Sequence, residues 1–455
     1  MLRLGIDVGD SKTVCVVMDE HSALIGMRTQ ASTPDILAGI DSVLEQILKL
    51  TRIDPLEIGA VMIGTSHCYN ALVKGENLAK VAVIRLGQIQ SVIPPLFDAP
   101  ETFRRAVGLH FLQTKGGHEL DGSSSVQKLY RHEIEAFLQR DENREIEALV
   151  ITGTFSPMND SHEKKVAEWI RDQLGPEFPI TVSHELGSVG FIERENAAIL
   201  NAALSKVMTH SLHGLGALLK GWKIDSPIYF TQNDGTLMSY EHALRYPIRT
   251  LRSEITNGFR GASFLTGIED GVVVDVHRDT TYIGTLEGGF PKEGHRGEHI
   301  AGIRVNVDMP KIVRLPFGAC TPFEISHLDE IFQAVQRFQP RYEPLPILFV
   351  GEGGAAFAAH FKYPWSEVLL PRHYLYVNAI GACIAPISGN SDRMYWLDHM
   401  SQSEAVERTK QETIKAAILA GAKQDTVVIQ SVKTIPFVYL PSKALRIKVK
   451  AIGTL

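Results

Sequence analysis

Two aspartates open the case for chemistry. Asp7 closes the apolar run Leu2-Arg3-Leu4-Gly5-Ile6 and is followed by the turn Val8-Gly9-Asp10-Ser11-Lys12-Thr13 and a second apolar run, Val14 to Met18. Asp275 closes Gly271-Val272-Val273-Val274 in the same way. It leads into Val276-His277-Arg278-Asp279-Thr280-Thr281 and then Tyr282-Ile283-Gly284-Thr285-Leu286. Each stretch reads as a β-hairpin with a hydrophilic tip. Backbone N–H groups and hydroxyls at such a tip can cradle phosphate oxygens. A carboxylate at the strand end can hold a hydrated metal ion against them. One such hairpin is as readily an ordinary polar turn; the second copy is what points to function. A third element, Pro346 to Val350, is a buried-type strand running into Gly351-Glu352-Gly353-Gly354. Glycines at that turn let backbone approach a flat ligand or a phosphate closely.

The order of these elements resembles the phosphate-1, phosphate-2 and adenosine motifs of the actin–hexokinase–heat-shock-chaperone ATPase superfamily. Within it, the chain is similar to the hydantoinase A/oxoprolinase family, the hydantoinase β-subunit type. Gly64-Thr65-Ser66-His67-Cys68-Tyr69-Asn70-Ala71-Leu72 resembles that family's Gly-Thr-Thr…Thr-Asn-Ala-Leu segment. Asn233-Asp234-Gly235-Thr236-Leu237-Met238-Ser239, with Tyr246-Pro247-Ile248-Arg249-Thr250-Leu251, resembles its Ser-Asn-Gly-Gly-Leu-Met…Arg-Pro-Val-Arg-Thr-Leu stretch. The resemblance runs from Leu4 to about Gly389.

That resemblance implies an α/β fold: two actin/hexokinase-like lobes with mixed sheets around a nucleotide cleft, plus a small α+β C-terminal appendage. The expected divisions are 1–186, 187–390 and 391–455. It implies ATP with Mg²⁺ or Mn²⁺, Asp7 and Asp275 as catalytic and metal-holding carboxylates, and phosphates between the two turns. The expected nucleotide contacts are Gly9, Asp10, Ser11, Lys12 and Thr13 in the first lobe, with Thr65 and Asn70, and Asp279, Thr280, Gly351, Gly353 and Gly354 in the second. It also implies a cyclic amide substrate (hydantoin, lactam or oxoproline-like) phosphorylated on its oxygen, with a second subunit completing ring opening.

The chain departs from the family pattern at the turns. The usual Asp-x-Gly-Gly-Thr keeps one glycine at Asp7-Val8-Gly9-Asp10-Ser11 and none at Asp275-Val276-His277-Arg278-Asp279. Arg252-Ser253-Glu254-Ile255 stands where Ser-Gly-Pro is usual. Asp10 and Asp279 add negative charge beside the expected phosphates, for which Lys12, Arg278 or a divalent ion must compensate. Two other functions therefore stay open: a catalytically degenerate nucleotide-binding or structural subunit, and a small-molecule kinase with another acceptor.

Strands near 3–8, 13–19 and 23–28, a helix near 35–50 starting at Thr33 or Pro34, and a strand at 60–63 are expected to position the first turn. Residues 87–125 show no clear period. From 126 to 183 the pattern reads helix, strand, helix, strand, with Ser161 to Leu174 amphipathic and capped by Asn159 or Asp160. Further helices are expected over Phe191 to Leu204, Tyr376 to Ala385 and Ser403 to Leu419, and strands near 426–431 and 444–452.

A chain of 455 residues exceeds one ordinary core. Its 44% hydrophobic and 22% charged residues fit a soluble globular protein, and a net charge of −6 argues against nucleic acid as a partner. No apolar run approaches the roughly 18–20 residues of a membrane span. The N-terminus enters a strand at once, so no signal peptide and a cytoplasmic location are expected. Homo-oligomerisation stays open. Cys15 and Cys383 read as core residues and Cys320 as isolated; Cys68, beside His67, reads as a loop or helix-start position rather than a nucleophile. His118 with Glu119, and His295 with His299, read as surface loops rather than metal ligands. His277 reads as either a turn cap or a site residue.

Overall fold

The computed structural model describes residues 1–33, 35–87, 93–122, 128–187, 189–294, 298–317, 327–340, 342–398, 400–437 and 444–455. Their strands form two mixed sheets that carry the expected turns, a separate parallel sheet, and a two-stranded ribbon. In the first sheet the hairpin strands Leu2–Val8 and Lys12–Met18 pair antiparallel, and Ile58–Thr65 runs parallel to Leu2–Val8 on the other side. In the second, Gly271–Val276 and Thr280–Glu287 pair antiparallel, and Ile347–Val350 runs parallel to Gly271–Val276. Each site aspartate thus sits near the end of a strand flanked by one antiparallel and one parallel neighbour. The central strands are apolar on both faces because helices cover both.

Two helices join the sheets. Ser253–Thr266 lays Ile255, Phe259 and Ala262 on Val273, Leu348 and Val350 of the second sheet. Val377–Ile384 lays Ala379, Ile380 and Cys383 on Val14, Val16 and Met18 of the first. Where they meet, backbone touches backbone. A Cβ on Gly261 would stand 2.0 Å from the carbonyl oxygen of Val377, and one on Gly381 would stand 1.9 Å from that of Asn257. Gly5 admits the same helix to the first sheet: its Cβ would lie 2.4 Å from the Ala379 carbonyl oxygen.

The α/β fold with mixed sheets is as expected, but the sheets do not follow the divisions at 186 and 390. The first sheet recruits Ile228–Thr231 and Leu237–Ser239 from mid-chain, then Ile387–Trp396, Ala444–Gly453 and Val428–Pro436 from the C-terminal segment. That α+β segment, with helix Gln402–Leu419 closed by a Ser401/Glu404 capping box, extends the first sheet. Register explains why: Ile387 to Trp396 pairs residue for residue with Ala444 to Gly453, while Leu237 pairs with Ile387.

The helix, strand, helix, strand stretch of 126–183 joins two earlier strands in a further unit. Val81–Leu86, His110–Thr114, Ala148–Gly153 and Ile180–Val182 form an all-parallel sheet, with Val81–Leu86 between His110–Thr114 and Ala148–Gly153. Helices Arg131–Leu138 and Ser161–Leu174 bury Ile134, Phe137, Val166 and Ile170 against one face of it. The helix expected to end at Leu204 runs on, Phe191–Gly221, 31 residues or about 46 Å. Its Lys206, His210 and His213 break the apolar period, yet its mid-section stays buried among Ala197 to Leu204, Val207 and Met208. Helix Ile36–Thr51 is capped by Asp35, whose side chain accepts from the Leu37 and Ala38 N–H groups; Thr33 is not the cap and Pro34 lies outside the described residues. Ser161–Leu174 is as expected, and Asn159 accepts from the Ser161 N–H. Among the described residues no helix is long and apolar enough to cross a membrane.

Candidate functional site

The two hairpin tips are built alike and open into one cleft. Val8 pairs with Thr13 and Val276 with Thr281. Gly9 N–H donates to the Lys12 carbonyl at 3.0 Å, and His277 N–H to the Thr280 carbonyl at 2.9 Å. Position by position, Asp275 matches Asp7, and His277 stands where Gly9 stands. The cleft between them, about 330 Å³, is lined by Asp7, Gly9, Asp10, Ser11 and Lys12 from one side and by His277, Arg278, Asp279, Thr280 and Gly351 from the other. Ser66, Glu254, Glu352 and Asn378 are also among its walls.

Asp7 is 3% exposed and Asp275 fully buried. Asn378 donates to Asp7 Oδ2 at 3.2 Å. Asp7 Oδ1, both Asp275 oxygens and Glu254 Oε2 have no hydrogen-bond partner among the described residues. Burial pushes the Asp7 carboxyl up to about 7, against the Asn378 hydrogen bond and with help from the charges of Asp275 and Asp10. Burial likewise pushes Glu254 up to about 8, with Asp7 and Asp10 adding to it. His277 Nε2 lies 3.1 Å from Asp275 Oδ2, close enough for an ion pair but not aligned as a hydrogen bond. Burial lowers the imidazole, but Asp275, Asp7 and Glu254 outweigh it and lift His277 to about 9. At neutral pH the imidazolium is therefore the positive charge among three acids. Gly351 is what lets this cluster close: its φ is +81°, and a Cβ there would stand 2.5 Å from Asp275 Oδ1.

Around the mouth, Glu352 crosses from the second lobe to the first. It accepts from Ser11 Oγ at 2.8 Å and lies 3.1 Å from Lys12 Nζ. Asp10, which lines the cleft, is held by Ser66 Oγ (2.8 Å) and Asn70 Nδ2 (2.6 Å), which both donate to its Oδ1.

Several expected contacts sit elsewhere. Asn70 supports Asp10 but does not line the cleft, and Thr65 accepts from the His67 N–H with its side chain toward a different cavity. Thr13 is buried, with its hydroxyl beside Gly39. Gly353 donates its N–H to the Val276 carbonyl, and both it and Gly354 are buried. Of the glycines expected around the adenine, Gly351 alone lines the cleft. The Asn233–Ser239 motif does not line the cleft either; Asn233 and Asp234 line a different cavity. Asp234 pairs with Lys450 of the C-terminal strand at 2.9 Å; burial would raise its carboxyl, but Lys450, Thr236 and Asn390 hold it down at about 2.

Glu254, Glu352 and Asn378 were missed as site residues. Only Glu352, inside the Gly351–Gly354 turn, carried a local signal. Cys68 lies in the first turn of helix His67–Lys74, buried, and burial pushes its thiol up to about 11, as for a core cysteine. His118 is not on a solvated loop: it is buried against His162, ring centroids 4.3 Å apart, and burial lowers it to about 4. Cys15 and Cys383 are buried as expected. His299 is exposed on a short strand, while His295 and Cys320 lie outside the described residues.

Comparison with known proteins places this site in context. A caprolactamase subunit alpha from Pseudomonas jessenii is 24% identical over 382 residues, covering 77% of this chain and 52% of that protein. An uncharacterised protein from Methanocaldococcus jannaschii is 24% identical over 284 residues, covering 58% of this chain and 40% of its own length. The chain thus spans about half the length of the curated relatives it matches. The crystal structure of the ATP-dependent caprolactamase from Pseudomonas jessenii covers the whole chain and 88% of its own at a TM-score of 0.75 and 15% identity. A nucleotide-free acetone carboxylase does so at 0.72 and 12%, with the same coverage. These two likenesses establish the fold. Residues 3–174 match the hydantoinase/oxoprolinase N-terminal region and residues 194–354 match hydantoinase/oxoprolinase itself, so the chain belongs to the hydantoinase/oxoprolinase family.

Proposed function

We propose that this chain binds ATP with a divalent cation between its two hairpin tips and activates a cyclic amide by phosphorylating its oxygen, ring opening being completed with a partner subunit. The observation that carries the reading is the matched pair of buried carboxylates, Asp7 and Asp275, at like-built tips of one cleft, with oxygens left without partners. Those oxygens are hard donors of the kind Mg²⁺ or Mn²⁺ takes. Among the described residues no three acidic, histidine or cysteine side chains gather at metal distance. That suits a hydrated ion held by one or two carboxylates and by nucleotide phosphates rather than a closed protein cage. Lys12 and the second tip's Arg278 and Thr280 offer donors to the phosphates, and phosphoryl transfer asks chiefly for such positioning and charge neutralisation. An amide is a poor electrophile; a phosphate ester on its oxygen weakens the resonance and supplies a leaving group. The similarity to a caprolactamase subunit favours the amide class and a companion subunit.

The second reading, a degenerate nucleotide-binding subunit, has one specific support: His277 fills a glycine position and places its own cation beside Asp275. Calorimetric titration with Mg-ATP, in the parent and in Asp7→Asn, separates the two. Binding that needs the metal and weakens at least tenfold in the variant supports a catalytic site. Equal affinity in both, with the metal present, supports the degenerate subunit, and no binding at all removes both.

A further inference from the structure

A second cavity gathers parts of the chain that the phosphate cleft leaves unused. It measures about 490 Å³ and shares no lining residue with that cleft. Asn233, Asp234 and Arg249 line it, from the two mid-chain stretches that carry the family resemblance. The C-terminal strands Ile387–Trp396, Val428–Pro436 and Ala444–Gly453 reach it through Asn390, Gln430 and Lys450. We propose that this cavity binds a small carboxylate that also carries an N–H, with Arg249 taking the carboxylate and Gln430 the N–H.

The charges on the walls single out Arg249. Four cations and four acids line the cavity. Lys450 lies 2.9 Å from Asp234, Lys433 3.3 Å from Glu293 and Lys292 4.0 Å from Glu287. The fourth acid, Asp308, is taken at 2.6 Å by Lys448, which is not on these walls. Among the described residues that leaves Arg249 as the lining cation with no acid. It is half-buried and steadied by Tyr246, whose ring centroid lies 5.2 Å from the guanidinium carbon. The Tyr246 hydroxyl is itself fixed, donating to Glu185 at 2.7 Å. A held guanidinium with no acid matches a carboxylate through two parallel hydrogen bonds.

Gln430 is the independent sign. Strand Val428–Pro436 carries a bulge: Ile429 pairs with Ala451 and Ser431 with Lys450, so Gln430 is the extra residue. Bulges re-aim a side chain and are frequent beside functional sites. Here the side chain reaches the cavity wall, where its Oε1 is buried and has no partner among the described residues. A buried amide oxygen without a donor is costly, and a ligand N–H relieves that cost. Leu186, Phe290 and Met309 give the ligand's carbon body an apolar seat. Hydrolytic opening of a cyclic amide leaves a carboxylate and an N–H on one molecule, so the product of the proposed reaction falls in this class. That link alone rests on the proposed function; the cavity and its recognition groups do not.

The probe is N-acetylglycine, titrated calorimetrically into the full chain without nucleotide. Two controls divide its chemistry: N-acetylglycinamide keeps the N–H without the charge, and 4-oxopentanoate keeps the charge with a methylene in place of the N–H. One N-acetylglycine per chain should bind at least tenfold more tightly than either control. In Arg249→Gln it should bind no better than N-acetylglycinamide, and in Gln430→Leu no better than 4-oxopentanoate. Gln430 lies on the edge strand of its sheet, so the second variant keeps the test decisive should Arg249→Gln fail to fold. Equal binding of the three compounds, parent-like binding in Gln430→Leu, or no heat from N-acetylglycine at millimolar concentration overturns the assignment. Mg-ATP titration should be unchanged in both variants. N-acetylglycine binding by a chain that takes no Mg-ATP would leave this site standing while the phosphoryl-transfer reading falls, so the two failures are distinguishable.

Discussion

Replacing Glu352 with Gln should tighten nucleotide binding. Glu352 engages Ser11 and Lys12, two of the groups proposed to meet the phosphates, so on that proposal a nucleotide must compete with it. Burial would raise its carboxyl, but Ser11 and Lys12 hold it below the usual carboxylate range, so it is charged at neutral pH. Lys12 is 40% exposed and the Glu352 side chain 20%, so the contact belongs with screened surface pairs, worth up to about 1 kcal/mol. Glutamine can still accept from Ser11 but cannot hold the ammonium or repel phosphate. The dissociation constant for Mg-ATP should therefore fall about fivefold, since roughly 1.4 kcal/mol is tenfold. The gain should shrink as salt is raised from 0.05 to about 0.5 M, because the lost attraction is screened. Calorimetry on both proteins at the two salt concentrations is the assay. A dissociation constant that rises in Glu352→Gln would show that the carboxylate holds the nucleotide rather than competing with it, and the latch argument would fail.

Other outcomes follow from the same cluster. Asp7, Glu254 and His277 are all raised above their ordinary values, to about 7, 8 and 9, so between about pH 4 and 9 the folded chain holds protons that the unfolded chain releases. Their contribution to stability is present at low pH and lost as pH rises through those values. The melting temperature of the nucleotide-free chain should fall from pH 6 to 9, and Asp7→Asn with Glu254→Gln should flatten that fall; a rise with pH would contradict the assignment. Gly351→Ala should cost more than about 3 kcal/mol in urea unfolding, from its positive φ and from overlap with Asp275. A loss below about 1 kcal/mol would mean that the turn re-forms.

The hairpins were legible because their signal is local: an apolar strand, an acid, a polar tip and a second strand follow one another without interruption, over Leu2–Met18 and over Gly271–Glu287. The pairing of the two tips followed from the family resemblance, and the cleft bears it out geometrically. What sequence could not deliver was anything requiring distant strands to meet. The first sheet draws on segments from Leu2 to Gly453, nearly the whole chain, and no periodicity records that Ala444–Gly453 pairs with Ile387–Trp396. Two strands of the parallel sheet fall within the helix, strand, helix, strand pattern of 126–183, whereas Val81–Leu86 and His110–Thr114 were not anticipated, the latter being short and without alternation. Glu254 was lost because it differs from the family pattern, and only the fold shows that helix Ser253–Thr266 begins at the cleft. Thr65, Gly353 and Gly354 are placed by motif position, and in the fold the Thr65 hydroxyl accepts from His67 N–H while the two glycines donate their N–H groups to Val276 and Gly351 carbonyls.

The backbone-to-backbone crossing of helices Ser253–Thr266 and Val377–Ile384 bears on how variation in this chain is to be interpreted. At Gly5, Gly261 and Gly381 even one methyl group collides with a carbonyl oxygen that no rotamer change can move. A saturation scan read out by function should therefore mark these three as intolerant as Asp7 or Asp275, although they touch no substrate. Read out by folding instead, the two sets part: the glycines fail to accumulate as folded protein, whereas the aspartates, freed of a desolvated charge by Asn, accumulate normally. Intolerance in this chain is thus a compound signal, and the joint between the sheets supplies as much of it as the chemistry does.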